Sequence, residues 1–238
     1  MTAMKRKHAA GLFVTGTDTG VGKTYVGAMI ARELRRAGFR VGVYKPAASG
    51  CRRQGGKRVS DDAVALWEAA GRPGSLERVC PQRFLAPLAP HLAALEEGQR
   101  LDSKLLREGL EYWRRRSEVI VVEGAGGLMS PLGEEEYVAD LAHDFGFPLI
   151  VVARNALGVI NQTLQTLIAA AAFRDGLEVA GIVLNHPAAP GDDPSLATNR
   201  RELIARCVPP VLAEVAHRAA SFDAEVDWAN LAGVAPAR

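Results

Sequence analysis

The sequence predicts an α/β fold, a single doubly wound, mostly parallel sheet with helices on both of its faces. Short apolar runs without helical period alternate along the chain with longer segments whose apolar residues recur at helical spacing. Residues 119–122 (VIVV) are apolar throughout, which is typical of a parallel strand covered on both faces. Strands separated in this way by helices indicate an open parallel sheet, in which ligands bind at the carboxyl ends of the strands.

The first predicted strand covers residues 12–14, and the helix after it covers about 23–38. That helix ends at Gly38, a residue suited to a helix C-cap. A second strand at 40–45 is stopped by Pro46. The chain therefore opens with a strand–helix–strand unit.

Residues 47–60 are rich in Gly and Arg without any period, so we predict a mobile surface loop there. Ser60 and Asp61 follow and can cap a helix that begins at this point. The elements expected after it are a helical region at 102–116, a strand at 119–122, a helix near 137–145, a strand at 148–153, a helix near 158–175, a strand at 178–184, a helix at about 196–207 and a short strand at 211–214.

The bulk composition is that of an ordinary soluble globular protein of 238 residues with a net charge of +2. We expect one domain over residues 11–238 and a flexible basic tail at 1–10, because no repeat or linker interrupts the chain. No stretch reaches the ~18 apolar residues of a membrane span. The three cysteines lie far apart, which suits a reducing compartment. We therefore expect a cytoplasmic protein with no nucleic-acid or membrane partner.

The segment GLFVTGTDTGVGKT at 11–24 is typical of a phosphate-binding loop between a strand and a helix. Gly20 and Gly22 allow backbone N–H groups to turn inward at the positive end of the helix dipole. Lys23 would reach the β- and γ-phosphate oxygens, and the Thr24 hydroxyl would bind Mg²⁺. Five residues separate Gly16 from Gly22, one more than in the usual pattern. The flanking strand and helix nevertheless favour a P-loop NTPase type of fold.

Two further strands end in a charged residue. Lys45 ends the second strand and stands before Pro46, and it either serves the site or extends to solvent. Glu123 follows four apolar residues and is either a Mg²⁺ ligand or a carboxylate bonded to loop N–H groups. Asp61 or Asp62 is a further candidate ligand, or else a helix cap.

Six segments of the chain occur in a characteristic order: GTDTGVGKT at 16–24, YKPAASG at 44–50, the step Asp61-Asp62-Ala63, APHLAALEEG at 89–98, VVEGAGGLMSPL at 121–132 and LGVINQTL at 157–164. On these segments the chain resembles the dethiobiotin synthetase family from residue 11 to about 215. The resemblance implies an ATP-dependent cyclo-ligase of biotin biosynthesis. In that reaction, 7,8-diaminononanoate takes up CO₂ as a carbamate, ATP phosphorylates the carbamate, and the second amine closes a cyclic urea.

The resemblance also implies the roles of individual residues. Lys23 and Lys45 are expected to be catalytic, neutralising the carbamate and the transferred phosphoryl group, and Mg²⁺ is expected on Thr24, Asp62 and Glu123. The implied nucleotide-binding residues are Thr19, Gly20, Val21, Gly22, Lys23, Thr24, Tyr25, Asn185, Pro210, Val211, Leu212 and Glu214, of which Asn185 reads the nucleobase. The implied substrate-binding residues are Thr19, Lys45, Ser49, Gly124 and Gly126, joined in a homodimer by Asn161 of the partner subunit.

The principal alternative is a nucleotide-gated ATPase switch of the partitioning and positioning type. Such proteins usually carry a second lysine five residues before the loop lysine, and this chain has Asp18 there. The chain also departs from its own relatives, several of which carry Glu at the position of Gly20. Near the expected base site, Ala213 stands where relatives tend to have Gly, which leaves the base preference less defined than the chemistry.

Overall fold

The computed structural model describes residues 10–189 and 191–234, so the predicted tail at 1–10 lies outside the described residues except for Ala10. The strands are β1 (Ala10–Gly16), β2 (Val41–Tyr44), β3 (Ala47–Ala48), β4 (Arg52–Gln54), β5 (Lys57–Val59), β6 (Gln82–Arg83), β7 (Val119–Glu123), β8 (Leu149–Arg154), β9 (Val179–Asn185) and β10 (Val211–Val215). The helices are α1 (Lys23–Arg36), α2 (Asp61–Ala69), α3 (Leu76–Val79), α4 (Pro90–Glu96), α5 (Ser103–Arg114), α6 (Val138–Phe145), α7 (Val159–Ala172), α8 (Leu196–Arg206) and α9 (Trp228–Leu231).

A six-stranded sheet with the order β10-β9-β8-β1-β7-β2 forms the centre of the molecule. All of its strand pairs are parallel, which confirms the predicted parallel sheet. The chain moves from β1 to one edge at β2, returns through β7, and then continues past β1 to β8, β9 and β10. The strand order thus changes direction beside β1, and ligands of open α/β sheets bind at such a point.

The core consists of the central strands and the faces of the helices packed on them. Residues 119–122 of β7 are fully buried, as predicted for a strand covered on both sides. On α1, Val26, Met29, Ile30 and Leu34 are buried, and the chain leaves this helix through Gly38 at a φ of 92°. The predicted buried strand at 119–122 and the predicted end of the first helix at Gly38 are both confirmed.

The prediction of an irregular loop at 47–60 is wrong. Ala47 and Ala48 are buried and pair with β6, and β4 and β5 form an antiparallel hairpin. The hairpin turns at Gly55 and Gly56, whose φ angles are 56° and 76°, as a two-residue type I′ turn requires. Both faces of the hairpin are largely exposed, so no apolar alternation marks its strands, and the Gly-Gly pair was the only signal.

The segment after β10 packs on the rest of the molecule although its sequence has only weak periodicity. Trp228 in α9 is buried and its Nε1 donates a hydrogen bond to Glu33 of α1 at 2.7 Å. The backbone N–H of Gly11 in β1 donates to the carbonyl of Ala232 at 3.1 Å. The single domain over 11–238 stays a prediction. No helix in the described ranges is both long and apolar enough to span a bilayer.

Candidate active site

The loop between β1 and α1 has the geometry of an anion-binding turn. Gly20 and Gly22 have φ angles of 74° and 97°, a region that favours glycine. A Cβ at Gly16 would lie 2.6 Å from the Val21 side chain, so the loop closes only over a glycine there. No side chain caps the N-terminus of α1 and its first turn carries no acidic residue. The first N–H groups of α1 are therefore free to bind an anion.

Lys23 begins α1 and is buried, with 7% of its surface exposed. Its Nζ donates a hydrogen bond to the backbone carbonyl of Asp18 at 2.9 Å. Burial lowers the pKa of Lys23 to about 8, with the nearby Lys45 ammonium acting in the same direction and Glu123 opposing it. Lys23 is thus a desolvated cation whose charge a bound phosphate would stabilise.

Lys45 follows directly after β2 and is 3% exposed. Its Nζ lies 2.5 Å from Glu123 Oε1, 3.1 Å from Asp62 Oδ2 and 3.3 Å from the carbonyl oxygen of Gly124. Burial disfavours the ammonium, but the two carboxylates outweigh it and raise the pKa of Lys45. Lys45 is therefore a charged lysine held inside the protein, and the alternative that it extends to solvent is wrong.

Glu123 ends β7 and is 1% exposed. Its Oε1 accepts hydrogen bonds from Lys45 and from the Thr24 hydroxyl, the latter at 2.9 Å. Its Oε2 is buried and has no hydrogen-bond partner among the residues that the structure describes. The alternative was a carboxylate that accepts hydrogen bonds from loop N–H groups. The partners of Glu123 are instead the side chains of Lys45 and Thr24.

The choice between Asp61 and Asp62 is also resolved. The helix cap is Ser60, whose Oγ accepts from the backbone N–H of Ala63 at 3.2 Å. Asp61 points outward and pairs with Arg52 at 2.7 Å. Asp62 pairs with Lys45, and although burial acts against its charge, that ammonium holds the pKa of the carboxyl below its usual value.

A cavity of about 350 Å³ unites these groups at the carboxyl edge of the sheet. Ala48 and Ala125 line it together with ten of the predicted site residues. Those ten are Thr19, Gly20, Gly22, Lys23, Thr24, Lys45, Ser49, Asp62, Glu123 and Gly126. A larger cavity of about 1080 Å³ lies by the other end of α1, between Glu33 and Trp228. It includes neither buried lysine nor the phosphate loop, so we assign the chemistry to the smaller cavity.

The donor set of the smaller cavity fits a hard divalent cation. Thr24 supplies a hydroxyl, and Asp62 and Glu123 supply two carboxylates that already share one cation, the Lys45 ammonium. The unpartnered Oε2 of Glu123 has unused acceptor capacity. Mg²⁺ takes oxygen ligands of this kind and keeps several waters. No cluster of three or more His, Cys, Asp or Glu side chains occurs in the described ranges, so a multi-histidine or thiolate metal site is not seen there.

Asn185 and Glu214 lie beside this cavity, at the ends of β9 and β10. Asn185 is buried and its Nδ2 donates to the backbone carbonyl of Val21 in the phosphate loop at 2.8 Å. Glu214 Oε1 accepts from Asn155 Nδ2 at 2.9 Å and lies 2.6 Å from His186 Nε2. The predicted Glu214 is therefore engaged in a polar cluster within the protein.

Three other predicted nucleotide contacts lie elsewhere. Pro210, Val211 and Leu212 stand at the amino end of β10, where Val211 pairs with Ile182. Parallel strands bring their carboxyl ends to one edge, so these three residues lie at the opposite edge of the sheet from the phosphate loop, and we remove them from the nucleotide site. Tyr25 stays a predicted contact, because it lies in the first turn of α1 next to Thr24. Its hydroxyl donates to the carbonyl of Ala219 at 2.6 Å.

Sequence reasoning missed Asn155, His186 and Asn199, which complete the polar cluster around Glu214. Asn199 Nδ2 donates to Asn155 Oδ1 at 2.8 Å. Asn155 and His186 follow the last residues of β8 and β9, so the rule that found Lys45, a polar residue at the end of an apolar strand, would have found them too. Asn199 lies within α8, and no local signal marks it.

Helix α7 leaves part of its surface uncovered. The residues that α7 buries are Val159, Thr163 and Ala170. Ile168 is 66% exposed, and Leu157, just before the helix, is 83% exposed. Asn161 lies exposed in the first turn. Ile168 is therefore not packed on the protein's own sheet.

A parallel sheet with a glycine-rich phosphate loop between β1 and α1 defines a P-loop nucleotide-binding protein. A family model described as "AAA domain" matches residues 10–222. The solved structure of the FtsY signal recognition particle receptor from Elizabethkingia anophelis with GDP is similar, with a TM-score of 0.54 at 15% identity over 98% of this chain and 65% of that one. A ParA family ATPase from Chlorobium tepidum gives a TM-score of 0.53 at 12% identity, covering 89% and 85% of the two chains. At these identities, the likeness concerns the fold alone.

Curated relatives identify the family within this class. A protein of Rhodopirellula baltica named ATP-dependent dethiobiotin synthetase is 44% identical over 214 residues, which cover 85% of this chain and 82% of the relative. A protein of the same name from Anaeromyxobacter dehalogenans is 47% identical over 193 residues, 81% of this chain and 83% of its own. One from Aromatoleum aromaticum is 38% identical over 216 residues, 90% and 93% of the two chains. The chain belongs to the dethiobiotin synthetase family.

Proposed function

We propose that this protein is an ATP-dependent dethiobiotin synthetase. It would carboxylate 7,8-diaminononanoate with CO₂ and close the cyclic urea through a carbamyl-phosphate intermediate, giving dethiobiotin, ADP and phosphate. Family membership supports the reaction. The single structural observation that supports it best is the pair of buried lysines, Lys23 and Lys45, at one cavity beside the phosphate loop.

In the first step, an amine nitrogen of the substrate bonds to the carbon of CO₂ and loses a proton, which leaves a carbamate anion. A carbamate oxygen then attacks the γ-phosphorus, and ADP leaves. The site thereby holds several anionic oxygens at once, and fixed positive charge at such oxygens is the main contribution that a protein makes to phosphoryl transfer. We assign Lys23 to the phosphate oxygens and Lys45 to the carbamate and the transferred phosphoryl group.

In the second step, the other amine attacks the carbonyl carbon of the carbamyl phosphate, and inorganic phosphate leaves. Both amines must lie within reach of one carbon, so the substrate has to be held at more than one point. Thr19, Ser49 and Gly126 line the cavity, and we assign them to the substrate near the reacting atoms. Gly124 contributes through its carbonyl, which already accepts from Lys45.

We propose that ATP binds with its phosphates on the loop from Gly20 to Thr24 and that Mg²⁺ is held by Thr24, Asp62 and Glu123. Bound there, Mg²⁺ would neutralise the β- and γ-phosphate oxygens. Thr24 and Glu123 are already joined by a hydrogen bond of 2.9 Å. The residues that would hold the ion are therefore adjacent before it binds.

We further propose a homodimer in which α7 forms the interface and Asn161 of the partner subunit binds the substrate carboxylate. The exposure of Ile168 on α7 and of Leu157 just before it supports an interface there, because large apolar side chains that are exposed to water favour association. A cytoplasmic location is supported by the three cysteines, all of which are free thiols.

The alternative, a switch of the partitioning type, receives less support. The position of its second lysine is occupied by Asp18, which here accepts from Lys23 through its backbone and from the Thr19 N–H through its side chain. The Lys45–Glu123–Asp62 group lines the same cavity as the phosphate loop, which supports a second substrate beside the nucleotide.

The test is a reconstituted reaction with ATP, Mg²⁺, bicarbonate and 7,8-diaminononanoate. We expect dethiobiotin by mass spectrometry and one ADP per product, with ADP release that depends on both the diamine and bicarbonate. A switch would hydrolyse ATP at the same rate without the diamine. That result, or the absence of dethiobiotin, would contradict the proposed function.

A further inference from the structure

Asn185 forms a buried link between β9 and the phosphate loop. It is 2% exposed, and its Nδ2 donates a 2.8 Å hydrogen bond to the backbone carbonyl of Val21. The two residues are 164 positions apart in the chain, so the bond connects the first loop of the fold to the fifth strand of the central sheet in chain order. Neither atom of this bond belongs to a reacting group.

The carbonyl of Val21 and the N–H of Gly22 belong to one peptide unit. A trans peptide is planar, so these two groups point in opposite directions, and none of the described peptide bonds is cis. Because the carbonyl faces Asn185, the N–H of Gly22 faces the other way. Gly22 itself lines the cavity that holds Lys23 and Lys45. The bond from Asn185 therefore fixes the direction of an N–H group at the phosphate site.

Steric contact supports the same arrangement. Gly22 has a φ of 97°, and a Cβ built on it would lie 2.0 Å from Asn185 Nδ2. The Asn185 amide thus occupies the space that any other residue at position 22 would need. The left-handed turn at Gly22 and the side chain of Asn185 fit one another and constrain the end of the loop.

We propose that Asn185 is a positioning residue for the phosphates, which orients the peptide between Val21 and Gly22. This goes beyond the contact with the base that the family resemblance implies, since a base contact alone would leave the loop unaffected. The inference rests on the proposed ATP binding of this cavity but not on the diamine chemistry.

The test compares three ligands on Asn185→Ala in the presence of Mg²⁺: ATP, GTP and inorganic tripolyphosphate, each by calorimetry. We expect affinity for all three to fall by a similar factor of about tenfold, the usual effect of one lost hydrogen bond. If only ATP weakens and tripolyphosphate binds as to the unaltered protein, Asn185 is a base reader and the inference fails. It fails equally if none of the three ligands weakens. Asn230→Ala, at an exposed asparagine of α9, is the matched control and should bind all three normally.

A second measurement needs no ligand. We expect hydrogen exchange at the amides of residues 17–22 to be faster in Asn185→Ala, while amides in the middle of β9 keep their protection. Unchanged exchange in the loop would overturn the inference. If Asn185→Ala does not fold, Asn185→Asp keeps the side-chain size, removes the donor and replaces it in this experiment. Neither measurement uses diaminononanoate, so a failure of the proposed reaction and a failure of this inference give different results.

Discussion

The ammonium of Lys45 lies 2.5 Å from the carboxylate of Glu123, and both side chains are almost completely buried. Lys45 directly follows β2 and Glu123 ends β7, and these two strands are neighbours in the sheet. The pair is therefore fixed by the sheet itself. A charged pair removed from water in this way is costly unless both members keep their partners, so a change to either residue should affect the other.

Replacing Lys45 should reduce the rate much more than it reduces ATP affinity. If Lys45 neutralises charge on the carbamate and the phosphoryl group, Lys45→Met should cost about 3 kcal/mol, or roughly 10²–10³ in kcat. ATP affinity, measured by calorimetry, should remain close to normal because Lys23 and the loop are intact. Lys104→Met, at an exposed lysine paired only with Glu108, should have no effect. Turnover near normal in Lys45→Met would remove Lys45 from the catalytic group.

The same substitution should destabilise the protein when Mg²⁺ is absent. Loss of the ammonium leaves Glu123 as an uncompensated buried carboxylate, and breaking such a pair costs about 3–5 kcal/mol. Adding Glu123→Gln removes the charge, so the double variant should be more stable than Lys45→Met alone. The measurement is the free energy of unfolding in urea with EDTA present. If the two substitutions destabilise additively, the charge pair contributes nothing specific.

Removing a carboxylate should raise the Mg²⁺ concentration needed for activity. Asp62→Asn and Glu123→Gln each delete one proposed ligand oxygen, and a titration of activity against Mg²⁺ should shift to higher concentration by about tenfold or more. Asp61→Asn is the matched control, because Asp61 is adjacent in sequence but pairs with Arg52 outside the site. An unshifted titration for Glu123→Gln would remove it from the metal site.

The exposed face of α7 should hold the dimer together. Ile168→Asp places a charge in the proposed interface and should convert a dimer to a monomer in light scattering coupled to size-exclusion chromatography. Ile204→Asp, at an isoleucine of α8 that is 59% exposed, should remain dimeric. If the unaltered protein is a monomer at working concentration, the proposed interface does not exist.

Asn161 should act in the partner's site. Asn161→Ala should raise the KM for diaminononanoate and leave ATP affinity unchanged, because the residue would hold only the substrate carboxylate. The stronger test mixes subunits that carry Lys45→Met with subunits that carry Asn161→Ala. If Asn161 acts across the interface, each mixed dimer contains one intact site and part of the activity returns. No recovery on mixing, once mixed dimers are shown to form, would place both residues in one subunit's site.

Most of the fold could be predicted from the sequence because its strands are short, apolar and buried on both faces. The helix face of Val26, Met29 and Leu34 was equally plain. The hairpin β4–β5 could not be recognised by pattern, since exposed strands have no buried side to produce alternation. The resemblance implied a nucleotide contact for Pro210, and only the direction of β10 in the sheet shows that this residue lies at the strand's amino end.

The candidate site was predicted in part, and for a definite reason. Lys23 closes a glycine-rich loop, and Lys45 and Glu123 stand at the ends of apolar strands, so the sequence marks them individually. The sequence does not show which of these side chains contact one another across the sheet. The contact of Asp62, and not Asp61, with Lys45 depends on which side of α2 faces the cavity. The link from Asn185 to Val21 depends on two loops meeting at one edge.

The strand order has a consequence for how the chain is made. β1 is synthesised before both of its partners in the sheet, β7 and β8. Ala10 cannot pair until Val119 has been synthesised, and Phe13 cannot pair until Leu149 has. Until then the apolar strand that leads into the phosphate loop has two unpaired edges, and such edges favour aggregation. Pairings of this sequence separation also form slowly. A nascent chain interrupted before β8 therefore leaves at least one edge of β1 unpaired, and we expect such fragments to depend on chaperones or to be degraded.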